Sequence, residues 1–219
     1  TKLVLHSLGV AQPDADVLIK NWNTKEASVC VHAFIETDRI IQTLPWNYKG
    51  WHVGKGSKGS WNGTSIGVEI CEPNMIGYDV KKNSEYFNKV YHNAVELFAY
   101  LCKEFSLDPY KDILCHSEVH SLGYASNHAD VTHWFPKHGE SMDTFRKDVA
   151  ALLKPYVPTK TITPESPPED IRWAQERYNV VLPQIYPKIK GIIPMEVTGI
   201  FGPELRIATT LYWFALKWG

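Results

Sequence analysis

The hydrophobic pattern of the first 154 residues alternates between strand-like and helix-like segments. Short runs of β-branched and aromatic residues predict strands, and apolar residues at helical spacing predict amphipathic helices. In Ser65–Cys71, Ile66, Val68 and Ile70 share one face while Glu69 points to the other. This alternation indicates an α/β domain with a mixed central β-sheet flanked by helices. The predicted strands are Leu3–Leu5, Ser28–Glu36, Ile40–Leu44, Ser65–Cys71 and Ile113–Cys115, and the predicted helices are Ala15–Trp22, Asn83–Phe105 (with Ser84 as N-cap) and Ser141–Leu153.

The pattern changes after residue 154. Residues 155–168 contain five prolines and no hydrophobic periodicity, which predicts an extended, semi-rigid linker. Helical patterns return in Pro168–Asn179 and Pro203–Trp218. We therefore expect a first domain over 1–154, a linker over 155–168 and a small helical domain over 169–219, which is short but rich enough in aromatic residues to bury a core.

Composition narrows the class of protein. An apolar content of 44% with 12% aromatic residues is enough for a sizeable core, and a net charge of −1 gives no support for nucleic-acid binding. No apolar run is long enough to span a membrane, and Thr1–Leu5 is too short for a signal peptide, so none is visible in this chain. The four cysteines form no CxxC pair and lie in apolar settings, which predicts four buried free thiols. None of these features predicts an oligomeric state.

Histidine and carboxylate side chains stand at the predicted ends of strands. His6 ends the first strand, His116 stands where the last strand ends, and Asp130 lies in the polar, glycine-containing loop that is predicted to follow. Strand ends beside a cleft are where α/β proteins place chemistry, and two histidines with one aspartate suit a zinc ion that keeps an open position. Zinc polarises a carbonyl and acidifies water, so a separate base is needed, and Glu69 is the candidate. His128 is the candidate for stabilising a developing oxyanion.

A set of motifs in fixed order carries a family resemblance. The order LxLHS, SVxVHAF, WHVG, SIGVEI, a long helix, CHSE and HAD…WFP, over about residues 1–150, resembles the zinc N-acetylmuramoyl-L-alanine amidases of the type-2 family. The resemblance implies that 1–154 is a catalytic domain with Zn²⁺ on His6, His116 and Asp130. It places the general base on Glu69, and His128 stands where the family usually has lysine. Peptidoglycan would be the partner, cleaved between N-acetylmuramic acid and L-alanine.

Two questions about this site stay open. The third zinc ligand is Asp130 in the motif, with neighbouring His128 or His133 as alternatives. A non-catalytic peptidoglycan-binding protein on the same fold is the alternative function, since such relatives lack the third ligand. A structural zinc site with four protein ligands is a further alternative.

The glycine-rich segment Gly50–Thr64 predicts a long mobile loop that lines the substrate cleft. By resemblance, His52 matches a substrate-contact histidine of the family. Trp51 and Trp61 suit stacking on sugar rings, with anchoring of the loop as the alternative. His32 is predicted either to line the cleft or to pack beneath it.

The last fifty residues resemble a second kind of module. VTGIFGPELRIA and WAQERYN are similar to the turn and the first helix of three-helix peptidoglycan-binding domains. Thr198 and Leu205 stand where those domains usually have Asp and Thr, so a structural cap or a dimerisation module is the alternative. The resemblance implies action at the bacterial cell wall by a secreted or phage-released protein.

Overall fold

A computed structural model describes residues 1–74, 80–154, 157–186 and 194–215. The chain divides into two compact units, Thr1–Lys154 and Pro155–Gly219. The first unit is built on one five-stranded sheet flanked by helices, which confirms the predicted mixed α/β fold. Its strands are β1 (Lys2–Ser7), β2 (Ala33–Ile35), β3 (Ile40–Gln42), β4 (Ser65–Ile70) and β5 (Ile113–Cys115). The helices are α1 (Ala15–Trp22), α2 (Val80–Phe105), α3 (Pro109–Asp112), α4 (His116–Leu122), a 3-10 turn (Phe135–His138) and α5 (Met142–Leu153), followed in the second unit by α6 (Pro168–Ile185) and α7 (Pro203–Ala215).

The sheet brings the ends of its parallel strands to one edge. The strand order is β3-β2-β4-β1-β5, with β3 antiparallel to β2 and the other neighbouring pairs parallel. His6 of β1 lies opposite Glu69 of β4, and Leu5 lies opposite Cys115, the last residue of β5. His6, Glu69 and His116 therefore reach the same edge of the sheet.

The two faces of the sheet have different coverings. Leu5 belongs to the main core, which is packed under α2 and α5. The neighbouring residue Val4 points the other way and packs with Val53 and with Val119 of α4. Side chains alternate along a strand, so His6 lies on this second face with Val4. The candidate site thus lies on the face opposite α2.

Several helix boundaries differ from the prediction. Helix α2 begins at Val80, so Ser84 lies inside it and the predicted N-cap is wrong. Helix α6 continues six residues past Asn179, because Leu182 extends the buried apolar face. Helix α7 is described as far as Ala215, and the last residues of its predicted span lie outside the described part of the chain.

A short helix replaces the loop that was predicted after β5. The backbone N–H of Cys115 donates to Oε2 of Glu118 at 2.9 Å, which closes a capping box at the start of α4. Gly123 ends the helix with φ of 92°, a left-handed conformation that glycine adopts without strain. His116 is the first residue of this helix. Its ring position is therefore fixed by a strand and a helix together.

All four cysteines are free thiols, as predicted, but Cys30 is only partly buried because it lies outside the sheet, beside Trp51. Within the described ranges, no helix combines the length and the apolar character that crossing a bilayer requires.

Candidate functional site

His6, His116 and Asp130 converge on one point at the edge of the sheet. Nδ1 of His6 is 2.9 Å from Oδ2 of Asp130 and 3.2 Å from Nδ1 of His116. Nδ1 of His116 is 3.5 Å from the same carboxylate oxygen. Among the described residues these three form a group able to hold a metal ion. A tetrahedral zinc centre, with ligands at about 2.0–2.1 Å, separates neighbouring ligand atoms by about 3.3 Å. The three observed separations bracket that value.

The chemistry of these atoms also fits a cation. Nε2–H of His116 donates to the carbonyl of Ser126 at 3.0 Å, so the neutral ring carries its lone pair on Nδ1. Burial opposes ionisation of Asp130, but the adjacent imidazoles of His116 and His6 outweigh it and lower the pKa of the carboxyl below its usual range. Burial also lowers the pKa of His6, which favours the neutral, ligating form. Electron-pair donors at such short range are stabilised by a shared positive charge.

Glu69 lies beside these three residues without a hydrogen bond on one oxygen. Its Oε2 is buried and finds no partner in the part of the chain that the structure describes. Burial, then the charges of Asp130 and Glu72, raise the pKa of Glu69 well above its ordinary value. A carboxylate with a raised pKa is a stronger base. This is the arrangement expected of a proton acceptor rather than of an ion-pair partner.

The alternative ligands occupy different positions. His133 directs Nε2 at Oε1 of Glu72, 3.0 Å away, and stands outside the group formed by His6, His116 and Asp130. His128 is exposed, with its ring centroid 4.8 Å from that of His116. Of the three residues left open by the sequence, the structure therefore brings Asp130 to His6 and His116. His128 lies beside His116 on the exposed side of this group.

His32 and His52 are both buried behind the site. His32 accepts a hydrogen bond from the N–H of Gly67 on Nδ1 and donates from Nε2 to the carbonyl of Tyr48. These contacts use both ring nitrogens on backbone atoms and support the packing alternative for His32. His52 has its Nδ1 2.9 Å from Nε2 of His6. The ring of His52 thus contacts His6, a candidate metal ligand, and the sequence did not indicate this contact.

The loop between β3 and β4 is held in place by side chains and contains Trp51 and Trp61, the two tryptophans singled out above. Oδ1 of Asn62 accepts the backbone N–H groups of His52 and Val53, both at 2.9 Å. Trp61 stacks on Tyr124 with ring centroids 5.4 Å apart, which supports its role as a loop anchor. Trp51 is 52% exposed and lines an open groove of about 590 Å³. Trp51 is therefore the tryptophan available for stacking.

Comparison with known proteins identifies the class. This class is the cell-wall amidases, which are hydrolases of amide bonds. The family model for N-acetylmuramoyl-L-alanine amidase matches residues 1–133, a span that contains His6, Glu69, His116 and Asp130. The chain belongs to this family.

Relatives and solved structures agree with this assignment. N-acetylmuramoyl-L-alanine amidase CwlH of Bacillus subtilis (strain 168) is 30% identical over 189 residues, covering 85% of this chain and 68% of CwlH. CwlA of a Bacillus species is 36% identical over 87 residues, covering 40% of this chain and 32% of that protein. Staphylococcus aureus hydrolase AmiA, solved with its ligand, matches with a TM-score of 0.58 at 24% identity over 69% of this chain and 72% of AmiA. The catalytic domain of XlyA matches with a TM-score of 0.51 at 22% identity over 68% of this chain and 88% of that domain. The likeness to these two structures supports the fold.

Proposed function

We propose that the chain hydrolyses the amide bond between N-acetylmuramic acid and L-alanine in peptidoglycan, with a zinc ion held by His6, His116 and Asp130. The observation that carries the proposal is the convergence of these three donor atoms beside the unpartnered oxygen of Glu69. The family is generally zinc-dependent, which agrees with the donor set. Zinc bound there would polarise the scissile carbonyl and make water acidic enough to lose a proton near neutral pH.

The residues around the ion transfer the proton, stabilise the oxyanion and bind the sugar. Glu69 accepts the proton of the attacking water on its buried Oε2 and passes it to the leaving nitrogen of L-alanine. His128, exposed at the mouth of the site, donates to the oxyanion that develops on the carbonyl. Trp51 stacks on a sugar ring of the glycan strand, and the ammonium of Lys49, which lies 4.3 Å from the Trp51 ring centroid, flanks that platform.

Variants of the two carboxylates separate metal binding from proton transfer. Wild-type protein should contain about one zinc per chain, and Asp130→Ala should lose both the metal and the clearing of cell-wall suspensions. Glu69→Gln should keep zinc but lose activity by a factor of about 10²–10⁴, because only the base is removed. Mass spectrometry of digested walls should find free stem peptides that begin with L-alanine.

A matched control is available on α2. Glu85 is exposed and pairs with Lys89, so Glu85→Gln makes the same chemical change far from strand ends and should leave zinc content and activity unchanged. Wild-type protein that binds walls, contains no zinc and leaves them uncleaved would establish the non-catalytic binding function instead.

We also propose that the second unit binds the glycan of the cell wall. Helices α6 and α7 contribute to a groove of about 660 Å³ whose lining is rich in aromatic side chains. Sugar rings stack on such surfaces, and a guanidinium such as that of Arg177 pairs with carboxylates of the stem peptide. The aromatic lining residues include Trp173, Tyr178, Tyr212 and Trp213.

A further inference from the structure

The ring of His52 lies directly behind His6. The two rings meet edge to face with centroids 5.1 Å apart, and His52 is 8% exposed. Its Nδ1 is 2.9 Å from Nε2 of His6, the ring nitrogen that faces away from Asp130. A buried polar atom in this position acts on the ligand and leaves little surface for a substrate.

A chain of hydrogen bonds determines the proton positions. The hydroxyl of Ser65 donates its single proton to the carbonyl of Trp61 at 2.7 Å. Its oxygen therefore accepts from Nε2–H of His52, 3.4 Å away. This leaves Nδ1 of His52 unprotonated, so it accepts Nε2–H of His6. The neutral His6 ring then carries its lone pair on Nδ1, the atom that faces His116 and Asp130.

Two glycines create the space for this ring. A Cβ at position 67 would lie 2.3 Å from Nδ1 of His52, and a Cβ at position 50 would lie 2.8 Å from its Cδ2. The backbone N–H of His52 is held by Asn62, as described above. The loop therefore holds the backbone of His52, and the absence of side chains at positions 50 and 67 leaves room for its ring. A space that fits the buried imidazole this closely indicates that the ring of His52 positions His6 and is not merely packed beside it.

We propose that His52 is a positioning residue that fixes the orientation and the tautomer of His6, so that Nδ1 of His6 is always presented to the metal. The inference rests on the proposed function in taking His6 as a zinc ligand. Partners of ligating histidines typically change metal affinity by about 10–100-fold when they are removed. His52 thus acts on zinc affinity through His6 and has no direct contact with substrate.

The test measures zinc affinity in the full-length protein by competition with a chromophoric chelator. His52→Leu fills the space of the imidazole ring with an apolar side chain that cannot accept a hydrogen bond from His6, and should weaken zinc binding about 10–100-fold. His52→Asn places an amide oxygen near the position of Nδ1, restores the acceptor for His6 and should lose less than about tenfold. Ser65→Ala removes the group that selects the tautomer of His52 and should give a loss smaller than that of His52→Leu. The absorption spectrum of the Co²⁺-loaded protein should change in the same order.

His92 on α2 is exposed, so His92→Leu is the matched control and should bind zinc as the wild type does. Equal zinc affinity and an unchanged Co²⁺ spectrum in folded His52→Leu would overturn the inference. A fall in activity on soluble muropeptides with zinc affinity unchanged would also overturn it, since it would assign His52 to substrate contact. If His52→Leu does not fold, an unchanged affinity in Ser65→Ala decides against the proposal. Wild-type protein that binds no zinc would instead overturn the proposed function, and the inference with it.

Discussion

At the scale of single residues, His133 and Glu72 form a partly buried ion pair next to the site. Glu72 is 0% exposed, and its Oε1 accepts the backbone N–H of Gly9 at 2.8 Å as well as Nε2–H of His133 at 3.0 Å. The hydrogen bond to Glu72 raises the pKa of His133, although desolvation acts against it. A histidine whose pKa is raised by folding stabilises the native state fully below its unfolded pKa of about 6.5. That contribution is lost as the pH rises through the higher, folded pKa.

His133→Gln should therefore destabilise the protein in a pH-dependent way. Glutamine donates to Glu72 but carries no charge, so the variant lacks the part of the stability that depends on protonation. Thermal unfolding of chelator-treated protein should show a Tm difference from wild type that is largest near pH 6 and becomes smaller above about pH 8. His92→Gln, at an exposed position on α2, is the control. A difference that stays constant across this range would contradict the expected coupling between His133 and Glu72.

The individual residues that sequence could predict are those next to strands. His6, Glu69 and His116 lie in or directly after short apolar runs, so parallel pairing alone brings them to one edge. The contact between His52 and His6 depends on a loop folding back across β4, where residue 67 has no side chain. Hydrophobic pattern does not encode such a contact, and it becomes visible only when the loop and the sheet are packed together.

At the scale of elements, β4 carries much of the site on one face. Ser65, Gly67 and Glu69 alternate with the core residues of the strand. Ser65 supplies a hydroxyl, Gly67 leaves the gap that the His52 ring occupies, and Glu69 supplies the candidate base. The alternation of SIGVEI was readable in the sequence, whereas the use of the gap was not. This strand therefore links the stability of the core to the geometry of the candidate metal site.

Gly67→Ala tests that link. The added methyl would lie 2.3 Å from the His52 ring, so the ring must move. We expect a loss of about 1–3 kcal/mol in unfolding free energy from overpacking, together with weaker zinc binding. Chemical denaturation and chelator competition measure the two effects. Gly63→Ala is the matched control in the preceding loop, where the nearest atom to the added methyl is Cδ of Lys49 at 4.0 Å. Equal stability of the two variants would show that the space around the His52 ring tolerates a side chain at position 67.

Long elements were easier to predict than short ones. Helix α2 repeats its apolar face over many turns, and only its first turn was missed. Helix α4 has seven residues and is capped through Cys115, a residue type that rarely starts helices, so its pattern resembled a loop. Strand β2 covers three residues of the predicted nine, because Cys30 leaves the sheet to pair with Trp51 of the loop. Tertiary contacts decide the ends of such elements.

At the scale of the whole molecule, catalysis and wall binding would reside in separate units. The site lies within Thr1–Lys154, and the aromatic groove lies within Pro155–Gly219. A tethered binding unit raises the effective concentration of the catalytic unit at an insoluble substrate without changing its chemistry. Loss of the groove should therefore affect activity on walls and leave activity on soluble fragments intact.

Two neighbouring residues of α7 allow this to be tested in the full chain. Trp213 lines the groove and is 55% exposed, whereas Phe214 is 65% exposed and is not part of the lining. Trp213→Ala removes a stacking surface and should weaken co-sedimentation with purified walls by about 5–150-fold, if a sugar ring stacks with the roughly 1–3 kcal/mol typical of a base on an aromatic side chain. Phe214→Ala should bind as wild type, and both variants should cleave soluble muropeptides at the wild-type rate. Equal wall binding by Trp213→Ala and wild type would assign the second unit a structural or dimerising role, which sedimentation of the protein alone would then distinguish.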